Sequence, residues 1–146
     1  MPELRKDPII GRWVIIATER AKRPDQFVSP SEGPTEGECP FCQGKESHTP
    51  SEIYAIRSLN SSKDSSKDGP GWEVRVVPSI KPMLRIEGDL GRRGQGIYDM
   101  MNGIGAHEVV IETPKHINNI ADLPLEQIDR VFSVYINRLI DLSKDN

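Results

Sequence analysis

The chain has 146 residues, a formal net charge of −3, 36% hydrophobic residues and 28% charged residues. This length allows one modest domain, and the apolar content is enough to form a core, which excludes a wholly disordered chain. The mild acidity argues against a general nucleic-acid-binding protein, and no apolar run approaches the roughly 20 residues of a membrane helix. The N-terminus lacks the apolar segment of a secretory signal, so we expect a cytoplasmic protein.

The first part of the chain predicts a strand that leads into a basic turn. Residues 13–16 are a β-rich run, and the cluster Arg20, Ala21, Lys22 and Arg23 follows them. Three cations in four residues can bind a phosphate or pyrophosphate, because arginine offers paired donors and lysine a point charge. The alternative is a solvated charged turn that binds nothing.

The two cysteines of the chain, Cys39 and Cys42, form a Cys-x-x-Cys motif. Two thiolates at this spacing can bind one Zn²⁺ where the backbone turns. A redox pair is an alternative, but such a motif opens an amphipathic helix, whereas polar residues 43–50 follow here. Inert buried thiols are a further alternative. The candidates for a third ligand are His48, His107 and His116. For each of them the alternative to metal binding is a role in packing or a position on the surface.

The middle of the chain predicts short strands separated by loops. Residues 51–58 have a short apolar rhythm, and residues 72–78 alternate between apolar and charged before a proline, which predicts a half-buried strand. Residues 107–113 give the clearest strand pattern. We expect residues 58–71 to form a flexible polar loop, because they have little apolar surface to bury. The glycine-rich residues 87–105 match no complete phosphate-binding motif and predict a loop.

A long helix is predicted at the end of the chain, with Pro124 at its start. Its apolar residues follow the helical repeat, and we expect this stripe to face the core. The stripe consists of Leu125, Ile128, Phe132, Tyr135, Leu139 and Leu142, widened by Val131, Ile136 and Ile140. Strands followed by one helix predict an α+β fold in which an antiparallel sheet packs on the helix.

Six stretches of the sequence, taken together, resemble the galactose-1-phosphate uridylyltransferase family, a branch of the histidine-triad superfamily. They are Arg5–Pro8, Gly11–Ile15, Arg20–Pro24, Cys39–Cys42, Trp72–Pro78 and Gly105–His116. They occur in the family's order across nearly the whole chain. The resemblance implies that residues 1–146 form an incomplete N-terminal histidine-triad-like domain, with an antiparallel sheet packed on a C-terminal helix.

The resemblance also implies a reaction and a nucleotide-sugar site. The family exchanges UMP between UDP-glucose and galactose-1-phosphate through a uridylyl-histidine intermediate. Two segments correspond to the family's nucleotide-sugar contacts, and they consist of Arg20, Ala21, Lys22, Arg23, Ser79 and Ile80. The second segment departs from the family, since Ile80 contributes no polar group where the family often has one.

The resemblance further implies a structural Zn²⁺ held by Cys39, Cys42 and His116. The family's fourth ligand is the first histidine of a downstream His-x-His motif, which also supplies the nucleophile. This sequence contains no His-x-His. We therefore expect the catalytic histidine to lie beyond residue 146, this chain alone to be inactive, and the complete protein to be a homodimeric enzyme.

Three alternative functions follow from the same residues. A relative with the same scaffold can act on ADP-sugars, as an adenylyltransferase or phosphorylase. The chain can instead be a non-catalytic nucleotide-binding module stabilised by zinc. The third alternative is a redox protein that uses the Cys-x-x-Cys pair.

Overall fold

A computed structural model of the protein describes residues 2–17, 39–58 and 66–144. In these ranges the strands pair into two antiparallel sheets, and a helix follows them, which confirms the predicted α+β class. No helix in the described ranges is long and apolar enough to cross a bilayer. The elements are β1 (Glu3–Lys6), β2 (Trp13–Ile16), β3 (Tyr54–Arg57), β4 (Trp72–Pro78), β5 (Arg93–Gln95), β6 (Tyr98–Asn102), β7 (Glu108–Ile111) and α1 (Leu125–Leu142).

The first of two compact units comprises Met1–Ser31 and Lys81–His107. Its four-stranded sheet has the order β2-β1-β6-β5. The carboxylate of Asp7 accepts hydrogen bonds from the backbone N–H groups of Ile9 and Ile10, at 2.8 and 3.2 Å. An aspartate that bonds to the backbone in this way closes the turn between β1 and β2.

The glycine-rich segment 87–105 is not the simple loop that the sequence predicts. Both β5 and β6 lie within it, so that prediction is wrong for these residues. Gly96 has a φ of +61° in the turn between the two strands, a conformation that favours glycine. β6 pairs with β1 and contributes Met100, which is buried.

The second unit, Glu32–Ile80 with Glu108–Asn146, holds a three-stranded sheet with the order β3-β4-β7. β4 is the central strand and is the most deeply buried. Val74 and Val76 of β4 pack with Val131 and Val134 of α1, and all four side chains are fully buried. Small branched side chains on both elements form the core that joins the helix to the sheet.

Polar contacts fix the position of α1 on this sheet. The side-chain amide of Gln127 donates to the backbone carbonyls of Glu73 and Glu112, at 2.8 and 2.6 Å. The hydroxyl of Tyr135 donates to the carboxylate of Glu112 at 2.6 Å. Burial and this neighbouring carboxylate raise the pKa of Tyr135 to about 12. These bonds satisfy carbonyl groups that the core would otherwise leave unpaired.

The buried face of α1 differs from the predicted stripe. Val131 and Val134 are the buried residues of the helix, whereas Leu125, Phe132 and Leu139 are 82%, 53% and 69% exposed. The prediction that the whole stripe faces the core is therefore wrong. The helix is apolar around more than one face, so its periodicity does not identify the face that packs against the sheet.

A buried charged cluster lies on β4. The guanidinium of Arg75, only 1% exposed, contacts Glu52 at 3.0 Å and Asp68 at 2.8 Å. It also donates to the hydroxyl of Thr49 at 2.6 Å, and Glu52 receives a second cation, Arg57, at 2.7 Å. Opposite charges and directed hydrogen bonds are what allow these groups to be buried.

The predicted flexible loop over residues 58–71 is described only in part. Residues 59–65 lie outside the described residues, so the loop stays a prediction. In the described part, Asp68 accepts hydrogen bonds from Ser51 and from the backbone N–H of Glu52. Asp68 has a φ of +60°, a conformation that aspartate and asparagine adopt more readily than most residues.

Replacing Arg138 tests the ion pair between α1 and β7. Arg138 contacts Glu108 through two nitrogens, at 2.7 and 2.8 Å, and both side chains are largely buried. Arg138→Met leaves the carboxylate unpaired, so we expect a loss of about 1–3 kcal/mol in the free energy of unfolding. Urea titration measures this, with Glu126→Gln, at an 88% exposed side chain, as the control. Equal midpoints for Arg138→Met and the wild type would contradict the role of this pair.

Asp68 predicts an acid dependence of stability. The Ser51 hydroxyl, the backbone N–H of Glu52 and Arg75 together lower the pKa of Asp68 from 3.8 to about 2, against a smaller effect of burial. A carboxyl whose pKa falls on folding stabilises the protein above its ordinary pKa, and this contribution is lost as the pH falls from about 4 to 2. Asp68→Asn keeps the tolerance for positive φ and should flatten the stability curve in that window. Urea titrations from pH 5 to pH 2 measure it, and parallel curves for both proteins would contradict the assignment.

Candidate metal centre

The two cysteines lie on a tight backbone turn. The N–H of Cys42 donates to the carbonyl of Cys39 at 3.4 Å, and the N–H of Lys45 donates to the carbonyl of Cys42 at 3.2 Å. Gly44 follows with a φ of +88°, which lets the chain reverse after the second cysteine. Both cysteines are buried, and their Sγ atoms lie within 4.8 Å of each other.

His116 reaches the same place from a distant part of the sequence. It follows β7, where the chain leaves the sheet, and lies 74 residues from Cys42. The N–H of Gln43 donates to the carbonyl of Pro114 at 3.0 Å, which fastens the cysteine turn to the segment that carries the histidine. The Sγ of Cys42 and the Nδ1 of His116 are 3.4 Å apart.

The three side chains lie close enough together to bind one metal ion. The ligand atoms of Cys39, Cys42 and His116 all lie within 4.8 Å of one another. Zn–S and Zn–N bonds of ordinary length place sulfur and nitrogen about 3.5 Å apart on a tetrahedral edge. The observed separation of 3.4 Å for Cys42 and His116 fits this value. Thiolate and imidazole donors are also those that Zn²⁺ prefers, so the residues fit the metal that the sequence predicts.

The other two histidines lie elsewhere. His48 is exposed at the end of a short 3-10 helix, Glu46–His48. The Nδ1 of His107 accepts a hydrogen bond from the N–H of Met83 at 3.0 Å, which is a packing role. Among the described residues, the one group of potential metal ligands consists of Cys39, Cys42 and His116.

The structure weakens the redox alternative. Cys42 is followed by turns and by the three-residue helix Glu46–His48, and residues 43–58 contain no α-helix. A reactive Cys-x-x-Cys pair commonly owes its low thiol pKa to the N-terminus of a helix. That source of activation is missing at this position.

A cavity of about 300 Å³ lies beside the cysteines and the histidine. Its walls include apolar side chains of the cysteine turn, of β7 and of the segment after β7. The apolar members are Phe41, Val109, Val110, Ile111 and Ile117. The candidate metal centre therefore forms one end of a largely apolar recess.

The predicted nucleotide-sugar residues are only partly described. Arg20, Ala21, Lys22 and Arg23 lie outside the described residues, and their role stays a prediction. Ser79 follows β4 and is half-buried, and Ile80 is exposed. Sequence reasoning missed Glu46, whose carboxylate lies next to the cysteine turn, because its partner is 26 residues away and no motif joins them.

The fold and the cluster together define an α+β protein with a Cys₂His candidate metal centre. A solved structure of ADP-glucose phosphorylase from Arabidopsis thaliana with bound ADP-glucose is 30% identical, has a TM-score of 0.55, and matches 99% of this chain and 39% of that one. A structure of a uridylyltransferase is 26% identical, with a TM-score of 0.57, and matches 99% of this chain and 36% of that one.

Comparison with the sequences of curated proteins identifies the same two kinds of enzyme. ADP-glucose phosphorylase of Arabidopsis thaliana is 32% identical over 98% of this chain and 40% of its own length. Galactose-1-phosphate uridylyltransferase of Thermotoga maritima is 27% identical over 99% of this chain and 37% of its own length. No protein-family profile matches. The chain is similar in sequence to both enzymes along almost its whole length, in agreement with the resemblance of its motifs, and spans about two fifths of the length of these relatives.

Removing one ligand tests the candidate metal centre. We expect the reduced chain to bind one Zn²⁺ and Cys39→Ser to lose most of it, because two ligands rarely hold zinc. Zinc at about 100 times its dissociation constant should stabilise the wild type by about 2.7 kcal/mol and leave Cys39→Ser unchanged. Elemental analysis and thermal melts measure both effects, with His48→Ala as the control. A zinc-free wild type whose melting temperature equals that of Cys39→Ser would contradict the site.

Proposed function

We propose that this chain is part of a nucleotidyltransferase that acts on nucleotide sugars, and that the reaction is exchange of UMP between UDP-glucose and galactose-1-phosphate. The observation that carries this proposal is the proximity of the ligand atoms of Cys39, Cys42 and His116, although Cys42 and His116 are 74 residues apart in the sequence. These are the three positions that the resemblance assigns to the family's zinc. Homology to a uridylyltransferase along almost the whole chain supports the same conclusion.

The proposed metal is structural. Bound Zn²⁺ supplies stability here and no chemistry, because closed coordination leaves no position for a substrate. The chain's own part is to present two thiolates on a turn and one imidazole after β7. The fourth ligand is proposed to be a histidine outside these residues, since the chain has three histidines and no His-x-His.

The proposed nucleotide-sugar site uses the basic cluster. Arg20, Lys22 and Arg23 bind the diphosphate, since guanidinium groups pair with phosphate oxygens and the rest of the chain is mildly acidic. In the reaction, a histidine nitrogen attacks the α-phosphorus, and the bond from that phosphorus to the sugar-phosphate oxygen breaks. Donors fixed beside the phosphate stabilise the charge that develops. The nucleophile is proposed to lie outside the present chain, which therefore binds substrate without turning it over.

A second candidate is phosphorolysis of ADP-glucose. The identity to ADP-glucose phosphorylase is 32%, against 27% to the uridylyltransferase. Ile80 also offers no polar side-chain group at a position that the resemblance assigns to nucleotide contact, so the choice between UDP-sugar and ADP-sugar stays open at this position. A cytoplasmic location and a homodimer remain predictions from the sequence.

Calorimetry with UDP-glucose and with ADP-glucose tests the site and separates the two candidates. We expect the double variant Arg20→Ala/Arg23→Ala to bind at least about 10-fold more weakly, because two charge-assisted contacts are lost. The double variant Arg92→Ala/Lys144→Ala removes the same two charges at exposed positions and serves as the control.

The preferred nucleotide identifies the reaction. Tighter binding of UDP-glucose supports UMP exchange, and tighter binding of ADP-glucose supports the second candidate. Equal affinity of Arg20→Ala/Arg23→Ala and the wild type for both compounds would contradict the role of the basic cluster.

A further inference from the structure

The carboxylate of Glu46 joins the cysteine turn to the central strand of the sheet. Its Oε1 accepts a hydrogen bond from the indole Nε1 of Trp72 at 2.8 Å and another from the backbone N–H of Gly44 at 3.1 Å. Trp72 is the first residue of β4 and is 2% exposed. Gly44 lies two residues after Cys42. One oxygen atom therefore bridges a rigid buried ring and the backbone beside a candidate ligand.

His116 is linked to β4 through the neighbouring strand β7. β7 pairs with β4, with Val110 opposite Val76, and His116 follows β7. The bond from the N–H of Gln43 to the carbonyl of Pro114 then joins the cysteine turn to this segment. The cysteine turn therefore has two anchors: Glu46, which is bonded to Trp72 of β4, and Gln43, which is bonded to Pro114 after β7.

We propose that Glu46 is a positioning residue for the metal centre: by bridging Trp72 and Gly44 it holds Cys42 at the distance from His116 that tetrahedral coordination requires. This inference rests on the metal site of the proposed function. The bridge works best with an ionised carboxylate. Burial raises the pKa of Glu46, but the hydrogen bonds from Trp72, from Gly44 and from its own backbone, together with the charge of Arg75, outweigh this effect. The net result is a lowered pKa, so the group is charged at neutral pH.

The segment has a second anchor that does not use this carboxylate. The hydroxyl of Thr49 donates to the backbone carbonyl of Glu46 at 2.9 Å, and Arg75 donates to the same hydroxyl at 2.6 Å. Removal of the Glu46 side chain leaves these bonds in place. We therefore expect Glu46→Ala to fold, with the cysteine turn less tightly fixed.

Cobalt(II) binding to the full chain tests the proposal, because thiolate-to-cobalt charge-transfer and ligand-field bands report the coordination geometry. Competition with a chelator gives the affinity. We expect Glu46→Ala to bind Co²⁺ about 10- to 100-fold more weakly, the usual effect of losing a group that orients metal ligands. Glu46→Gln should recover most of the affinity, since its amide oxygen can accept both hydrogen bonds. Trp72→Phe, which keeps a buried ring but removes the donor, should weaken binding in the same direction.

Two controls separate positioning from stability. Arg138→Met lowers stability elsewhere in the unit, and Glu126→Ala removes an exposed carboxylate. Both should leave the cobalt affinity and spectrum unchanged. Wild-type affinity and spectrum in Glu46→Ala, or equal losses in Glu46→Ala and Glu46→Gln, would overturn the inference while the metal site stands. A wild type without a thiolate–cobalt band would overturn the metal site and the inference together.

Discussion

The burial of one guanidinium group constrains the second unit of this protein. Arg75 lies within the central strand β4 and is 1% exposed, so its charge is tolerable only if its donors are paired. Glu52, Asp68 and Thr49 supply those partners, and they come from the segments that precede β3 and β4. The chain must therefore bring residues 49–52 against β4. The cysteine turn begins ten residues earlier, so charge compensation keeps it near the sheet, and the bonds of Glu46 and Gln43 then fix its position.

Local structure could be predicted well where a short-range rule applies. The strand at 72–78 has the predicted bounds, and the proline marks its end. The prediction that it is half-buried is wrong, because β4 is the central strand of its sheet and even Arg75 is 1% exposed. The helix begins at Leu125, directly after the proline that marks its start. The Cys-x-x-Cys spacing predicted a turn that presents two thiols, and the backbone bonds of Cys42 and Lys45 form that turn.

Long-range structure could not be predicted in the same way. The residues around His48, His107 and His116 left all three as candidate ligands, and only the resemblance pointed to His116. In the structure, the pairing of β4 with β7 is what carries His116 to the cysteines. The buried face of α1 was missed for a related reason. Val131 and Val134 let the helix approach the valines of β4 closely, whereas the larger Phe132 and Leu139 point away. Shape complementarity with the sheet decides the face, and hydrophobic periodicity does not record it.

A metal at this position would join parts of the second unit that are distant in the sequence. Two small buried clusters hold this unit together, four valines between the helix and the sheet, and Trp72 with Val77 and Ile111. A metal bond between Cys42 and His116 closes a loop of 74 residues. By analogy with a disulfide, a cross-link of that span removes about 4 kcal/mol of chain entropy from the unfolded state. The ion would therefore add to the stability that these clusters provide. If Glu46 fixes the cysteine turn in advance, as proposed, the metal has less of the chain to order on binding.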